Sequence, residues 1–326
     1  MTCNKESYPL VSVVIPTYER PEYLEGAIQT ALGQTYENIE VIVVDDGSTE
    51  LYVDDTVATF PESVVCVRHN ENKGLSAARN TGIRNSDGKY VAFLDDDDRW
   101  HRTKLSRQVA PLEREPEAGL ATCFIAAITP DNELVHCSTS APEGDCSDEL
   151  LVRNCIGSPS RVVVRRDCFN DVGLFDESLP TKQDWDFYIR LSQNWQIVAV
   201  KAHLCFRTIH ESMSSSPDAV RRDKKAVAKK QEKLIRASNR WKQTQAAIDE
   251  EVGRTYLDVG DLKEARRHLR KSLTLPNIKR LVLFSLSFTH PSIVESVTQV
   301  KRKIALQLRD CSELEVTSDT IPGLRA

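Results

Sequence analysis

Three compact apolar runs, each ending in a polar cluster, constrain this chain more than any other feature. Val11-Ser12-Val13-Val14-Ile15 runs into residues 16–20, and residues 39–44 run into Asp45-Asp46-Gly47-Ser48. Tyr90-Val91-Ala92-Phe93-Leu94 runs into Asp95, Asp96, Asp97 and Asp98. Short β-branched runs of this kind read as strands buried on both faces. Residues 64–67 supply a fourth. Between them, Leu24, Ala27, Ile28, Ala31 and Leu32 recur at helical spacing, and residues 75–83 predict a second helix. This alternation predicts an α/β fold, a mostly parallel sheet with helices on both faces. Ligands of such sheets sit beyond the carboxyl ends of the strands, so the polar clusters are expected to share one crevice.

The four consecutive aspartates carry a chemical expectation. Adjacent carboxylates at a strand end repel one another, and a hard divalent cation relieves that repulsion. The plainer alternative is a solvated acidic loop in which Asp98 caps a helix starting near Arg99.

A net charge of -5 argues against a nucleic-acid-coating protein, and no nucleic-acid partner is expected. The nine cysteines form no CxxC pair, which predicts free thiols in a reducing compartment. The amino terminus lacks the apolar core of a signal peptide, and the apolar stretch at residues 281–288 is too short to cross a bilayer. The expected location is cytoplasmic.

Further along, residues 161–164 and 197–200 predict strands, and residues 183–191 a helix opening with acids. Past Pro217 the composition turns helical, so a boundary is placed there, dividing 1–216 from 217–326. Arg221 to Lys242 is expected to form one basic helix. Residues 247–275 predict a helical hairpin turning at Gly260-Asp261.

Five segments now carry a resemblance: PTYER (16–20), VVDDGSTE (43–50), NENKGLSAARNTGI (70–83), GKYVAFLDDDDRW (88–100) and KQDWDFYIRL (182–191). Together and in this order they closely resemble the family-2 glycosyltransferases, over roughly the first two-thirds of the chain. The resemblance implies a Rossmann-like GT-A fold, here with a small helical carboxy-terminal region. It also implies an inverting hexosyltransferase that uses a nucleotide-diphosphate sugar, a UDP-sugar above all, with Mn2+ or Mg2+ as cofactor.

Carried onto this sequence, the resemblance assigns donor binding to Pro16, Tyr18, Glu19, Asp46, Arg79, Asp95 and Asp96. Tyr18 would stack on the base and Asp46 would accept from its ring N–H, although Asp45 competes for that role. The D-x-D pair becomes Asp95 and Asp97, with Asp97 the direct metal ligand. Asp95 would hold the metal through water or bind the ribose, and His210 would complete the shell or touch the pyrophosphate. Arg79 would either neutralise phosphate or tie its helix to the aspartates. The general base falls on Asp184, with Asp186 the alternative. Gln183 stands where the family usually has glutamate. Trp185 is assigned to the core.

The acceptor is expected to be a glycan hydroxyl on a lipid carrier, in surface polysaccharide, S-layer or other protein N-glycosylation assembly. The basic segment from Arg221 to Lys242 would hold the enzyme peripherally on the cytoplasmic face of the membrane, at about one kcal/mol per basic residue near anionic lipid. Residues 256–276 are similar to one tetratricopeptide unit, which suggests a cap or docking surface. A competing reading, resting on Gln183, is a non-catalytic nucleotide-sugar scaffold or sensor. A nucleotidyltransferase is disfavoured because no glycine-rich phosphate loop follows the first strand.

Overall fold

A computed structural model describes residues 8–210, 216–273, 278–289, 316–317 and 319–322. The first half runs β1 (Val11–Thr17), α1 (Pro21–Leu32), β2 (Ile39–Asp45), α2 (Tyr52–Val57), β3 (Val64–Arg68), α3 (Leu75–Arg84) and β4 (Tyr90–Phe93). Next come β5 (Arg99–Trp100), α4 (Lys104–Arg114), β6 (Ala118–Ile128), β7 (Leu134–Ser138), α5 (Ser147–Val152), β8 (Val163–Arg165) and α6 (Asp167–Val172). Then follow α7 (Gln183–Leu191), β9 (Gln196–Thr208), α8 (Pro217–Lys230), α9 (Glu232–Ala237), α10 (Trp241–Asp258), α11 (Leu262–Ser272) and α12 (Ile278–Leu286).

The buried runs build the sheet as expected, and their period of two explains why both faces are covered. Val14, Ile42, Val44, Val91 and Phe93 enter one core. Their neighbours Val13, Ile15, Val41, Val43, Ala92 and Leu94 enter the other. Each such side chain is fully buried, which stabilises by roughly 1.5–3 kcal/mol for a valine or larger residue. Helix α1 fits here because Pro21 occupies its first turn and Leu24, Ala27, Ile28 and Ala31 form its buried stripe. Gly82 of α3 is a packing position, since a Cβ there would lie 2.2 Å from Val14.

Strand order is β3-β2-β1-β4-β8-β6-β9-β5, with β7 paired to β6. The first four strands are mutually parallel. Beyond β4 the sheet is mixed: β8 runs antiparallel to both β4 and β6, while β9 runs parallel to β6. The parallel expectation therefore holds for the half that bears the aspartates. Thr17 lies opposite Asp45 in the β1–β2 register, and Leu94 N bonds to Val14 O. This alignment sets the three polar clusters side by side.

Several local expectations need correction. Residues 159–161 form a 3-10 turn, so β8 begins two residues later than the predicted strand. Asp98 caps no helix: Arg99 and Trp100 pair with β9, and α4 opens only at Lys104. The basic segment from Arg221 to Lys242 is broken into α8, α9 and the start of α10. Lys224 is buried there and pairs with Glu251, while Lys230 binds Asp176 and Asp186. The exposed bases of the segment are Arg222, Lys225, Lys229, Lys230, Lys233, Arg236 and Lys242, of which Arg222 pairs with Asp223 and Arg236 with Glu232.

Val220, Val227, Ile248 and Val252 of α8 and α10 join the same core as β1 and β4. The helices after Pro217 are thus packed against the sheet layer through a shared core. Leu257, Ala265 and Leu269 form a small satellite core between α10 and α11, which turn at Gly260 with φ 80°. Pro276 of the tetratricopeptide likeness lies outside the described residues, as do Cys3 and Cys311. Cys66, Cys123, Cys146, Cys155, Cys168 and Cys205 are free thiols, but Cys137 is disulfide-bonded, an exception to the all-thiol expectation. Among the described residues no helix is long and apolar enough to cross a membrane.

Candidate active site

A cavity of about 790 Å3 opens at the carboxyl ends of the parallel strands. Its wall includes Pro16, Tyr18, Asp46, Arg79, all four aspartates from Asp95 to Asp98, and Asp184. The structure therefore brings together residues from the ends of β1, β2 and β4 with the start of α7.

Asp97 Oδ2 lies 3.0 Å from Arg20 Nη1 and 2.9 Å from His210 Nε2. His210, 113 residues later in the chain, also approaches the Tyr23 hydroxyl through Nδ1 at 3.4 Å. The rest of that motif, residues 211–212, lies outside the described residues. Asp96 accepts from Thr17 Oγ1 at 2.8 Å and from Arg20 Nη1 at 3.2 Å. Burial nonetheless pushes its carboxyl up to about 6, against the pull of Arg20. Asp95 accepts from Arg79 Nη2 at 2.7 Å. Asp98 accepts from the Thr208 amide at 3.1 Å, while its Oδ2 has no hydrogen-bond partner among the described residues. Burial, then the charges of Asp95 and Asp97, raise its carboxyl well above the ordinary range.

The cluster is thus short of positive charge despite Arg20 and Arg79. That imbalance, with hard oxygen donors facing the cavity, suits Mg2+ or Mn2+; the His210 imidazole is not part of the cavity lining and reaches the cluster through its contact with Asp97. Among the described residues no three His, Cys, Asp or Glu side chains stand close enough to hold an ion by themselves. A two-residue foothold from Asp97 and His210, completed by substrate phosphate and water, fits that geometry.

Other assigned residues have more structural surroundings than the sequence suggested. The Asp46 carboxylate faces the cavity but holds the following loop, accepting from the Lys73 amide at 3.0 Å and the Gly74 amide at 2.8 Å. It also meets His69 Nδ1 at 2.7 Å. A carboxylate has about four acceptor sites, so one is left for a base edge. Asp45 is fully buried, accepts from the Ser48 amide and lies 3.3 Å from Arg68. It does not line the cavity, which removes it as the competitor of Asp46. Gly47 is required in that turn: its φ is 81°, and a Cβ would come within 2.5 Å of the Glu71 backbone.

Glu19 is a correction. Its side chain turns out of the cavity to accept from the Thr49 amide at 2.8 Å, so it braces the loop at the rim. Tyr18 stands 42 % exposed at the cavity edge, available as a stacking face. Arg79 is buried and bonded to Asp95, which is the helix-tying role; its Nε has no described partner.

The two acids of α7 separate cleanly. Asp184 lines the cavity, half-buried, with Oδ2 accepting from Asn154 Nδ2 at 2.8 Å. Burial raises its carboxyl, and the nearby charge of Arg79 and the Asn154 bond pull it partly back. Asp186 is fully buried on the other side of the helix. It binds Arg190 at 3.0 Å, Lys230 at 2.9 Å and Gln231 at 2.7 Å. With its side-chain contacts directed to Lys230 of α8, to Gln231 just after it and along its own helix, Asp186 is a structural anchor. Trp185 is 1 % exposed and donates Nε1–H to Leu150 O at 2.7 Å. Gln183 is buried beside Asp184, its Oε1 without a described partner.

Sequence reasoning gave no role to Thr17, Arg20, Asn154 or Arg207 and placed Lys224 in the membrane-facing basic segment, yet all five line the cavity. Arg20 belongs to the first segment of the resemblance and so had a signal. Asn154 had none, and Lys224 carried only the signal of a basic surface segment, because the tertiary fold alone brings them there.

Comparison with known proteins agrees with this architecture. Residues 12–173 match the family described as Glycosyl transferase family 2. An uncharacterized glycosyltransferase of Rickettsia bellii is 32% identical over 219 residues, 64% of this chain and 31% of that protein. The chain therefore spans about a third of that relative's length. TuaG of Bacillus subtilis, a putative teichuronic acid biosynthesis glycosyltransferase, is 31% identical over 219 residues, 64% of this chain and 82% of its own. WfaP of Escherichia coli is a UDP-Glc:alpha-D-GlcNAc-diphosphoundecaprenol beta-1,3-glucosyltransferase. It is 39% identical over 106 residues, 32% of this chain and 42% of its own. The solved structure of the mannosyltransferase PcManGT from Pyrobaculum calidifontis, in complex with GDP-Man and Mn2+, superposes with a TM-score of 0.59 at 18% identity. It covers 95% of this chain and 89% of that one, a likeness that speaks for the fold.

Proposed function

The chain belongs to glycosyl transferase family 2, and from that premise we propose that it moves a sugar, with inversion, from a nucleotide-diphosphate donor to a glycan hydroxyl. The observation that carries the reading is that Asp97 and Asp184 face one cavity from opposite elements, the end of β4 and the start of α7. The aspartate end suits a diphosphate with its cation. The Asp184 end suits an alcohol that must lose a proton.

Mn2+ or Mg2+, held by Asp97 and His210 with Asp95 alongside, would stabilise the negative charge that develops on the departing nucleotide. The remaining work falls to side chains of this chain. Tyr18 offers a flat face and Asp46 one remaining acceptor site to the nucleotide base. Arg20 and Arg79 hold the aspartates in place against their mutual repulsion. Asp184, oriented by Asn154, accepts the proton of the attacking hydroxyl at a raised basicity suited to that task. Glu251, the other carboxylate at the Asp184 end of the cavity, is paired with Lys224, which leaves Asp184 as the single base and favours one direct displacement.

A UDP-sugar donor and a lipid-linked acceptor are favoured by the likeness to WfaP, and surface polysaccharide assembly by the likeness to TuaG. The exposed bases Lys225, Lys229, Lys233 and Lys242 would keep such an enzyme beside an anionic membrane face. The scaffold reading rested on Gln183 alone, and Gln183 leaves Asp184 in place at the cavity. Incubation with UDP-glucose, UDP-GlcNAc or GDP-mannose and Mn2+ tests the reading. Metal-dependent release of nucleoside diphosphate that is lost in Asp184→Asn supports it. Metal-dependent binding with no turnover on any acceptor overturns it in favour of the scaffold.

A further inference from the structure

The cavity does not end with the α/β layer. Lys224 of α8 and Glu251 of α10 complete its wall next to Thr181, Lys182, Asp184 and Trp185. Both lie far beyond residue 173, where the family match stops. Lys224 is 6 % exposed, its ammonium paired with the Glu251 carboxylate and set 5.2 Å from the centre of the Trp185 ring. The Glu251 side chain stays 46 % exposed.

Resting on the transfer reading above, we propose that Lys224 and Glu251 form the acceptor-recognition pair, binding adjacent hydroxyls of the sugar that receives the new linkage. A lysine ammonium has three donors and a carboxylate about four acceptor sites. Their mutual ion pair uses one of each and leaves a donor and an acceptor side by side on the cavity wall. That alternation matches a vicinal diol, one hydroxyl accepting from Lys224 while its neighbour donates to Glu251. Charge-assisted bonds of this kind are stronger than neutral ones and hold direction well. Lys182 and Asp184 beside the pair balance one another, so this wall carries no net charge and suits a neutral diol better than an anionic group. Trp185 fixes Lys224 from below, and the shared core of α8 and α10 fixes both helices to the sheet. The helical region is thereby part of the acceptor site, and acceptor choice is written outside the family-matched segment.

The test is steady-state kinetics with UDP-glucose and a panel of octyl glycosides of glucose, galactose, mannose and GlcNAc as acceptor probes. Glu251→Gln, at a half-exposed position, and Lys224→Met are each expected to raise the acceptor KM tenfold or more. KM for the nucleotide sugar should stay within twofold, and Lys224→Arg should recover part of the loss. Deoxy versions of the best glycoside should lose discrimination between parent and variants at the hydroxyl concerned. Variants that keep the parent's acceptor KM overturn this inference alone, as does an equal rise in both KM values. A parent protein that transfers to no glycoside and releases no nucleotide overturns the reading beneath it.

Discussion

Asn154 Nδ2 donates to Asp184 Oδ2 at 2.8 Å, and this bond orients the cavity-facing carboxylate from a loop 30 residues away. Orientation and basicity are both affected, because a donor to the ionised form holds a carboxyl's proton affinity down.

Asp184→Asn should therefore lower the transfer rate by about 10²–10⁴-fold, the usual contribution of a positioned base. Nucleotide-sugar affinity should be retained, since in the proposed reaction Asp184 serves the acceptor and the aspartate run serves the diphosphate. Asn154→Ala should show a smaller loss, confined to kcat. Stopped assays for product, paired with calorimetric titration of the donor, separate the two quantities.

The pH profile follows from the same residue. Burial raises the Asp184 carboxyl, and the base works only when ionised. Activity should climb as pH rises through a limb lying above the ordinary carboxylate range near 4. Asn154→Ala removes a bond that favours the ionised form, so its limb should move to higher pH. A limb that stays put, or moves down, would detach Asn154 from the base.

Asp186 should behave differently. Asp186→Ala leaves Arg190 and Lys230, which are partly exposed and keep other partners, without their shared carboxylate, a loss of about 1–3 kcal/mol. Thermal unfolding should shift down markedly, while the pH limb of the folded fraction stays where the parent's is.

Lys104 offers a stability test remote from the chemistry. Its ammonium is fully buried, 4.0 Å from the Trp100 ring centre and without a hydrogen-bond partner among the described residues, and burial pushes it down to about 8. The unfolded chain holds that proton to about 10.4. Between those values the unfolded state binds more protons, so Lys104 permits stability to rise with pH there and imposes its full cost below. Lys104→Met should stabilise by about 1–3 kcal/mol at pH 7, because each tenfold weakening of proton affinity on folding costs roughly 1.4 kcal/mol. Its advantage should shrink as pH goes from 8 to 10, which denaturant titrations at three pH values would read.

Much of this arrangement is legible in the residues alone. The runs at Val13, Val41 and Val91 announce buried parallel strands because their neighbours alternate between two cores. Their terminal acids then had to meet at one sheet edge. What sequence could not locate depends on pairing between distant segments. Asp186 read as the alternative base and Lys230 as one charge of the membrane-facing segment, and only the packing of α8 against α7 pairs the two. Glu19 sat within a segment that carries the family likeness, yet a left-handed φ of 54° turns it toward the rim. Lys224 had the spacing of a surface stripe, and only the packing of α8 on α10 buries it beside Trp185.

The central claim is that donor and acceptor chemistry share one cavity, with Asp97 serving the first and Asp184 the second. Calorimetric titration of the nucleotide sugar with and without Mn2+, on the parent, Asp97→Asn and Asp184→Asn, tests it most directly. The account predicts Mn2+-dependent binding weakened a hundredfold or more in Asp97→Asn and preserved in Asp184→Asn, with transfer lost in both. Binding lost equally in the two variants, or parent-rate transfer by Asp97→Asn, would contradict it.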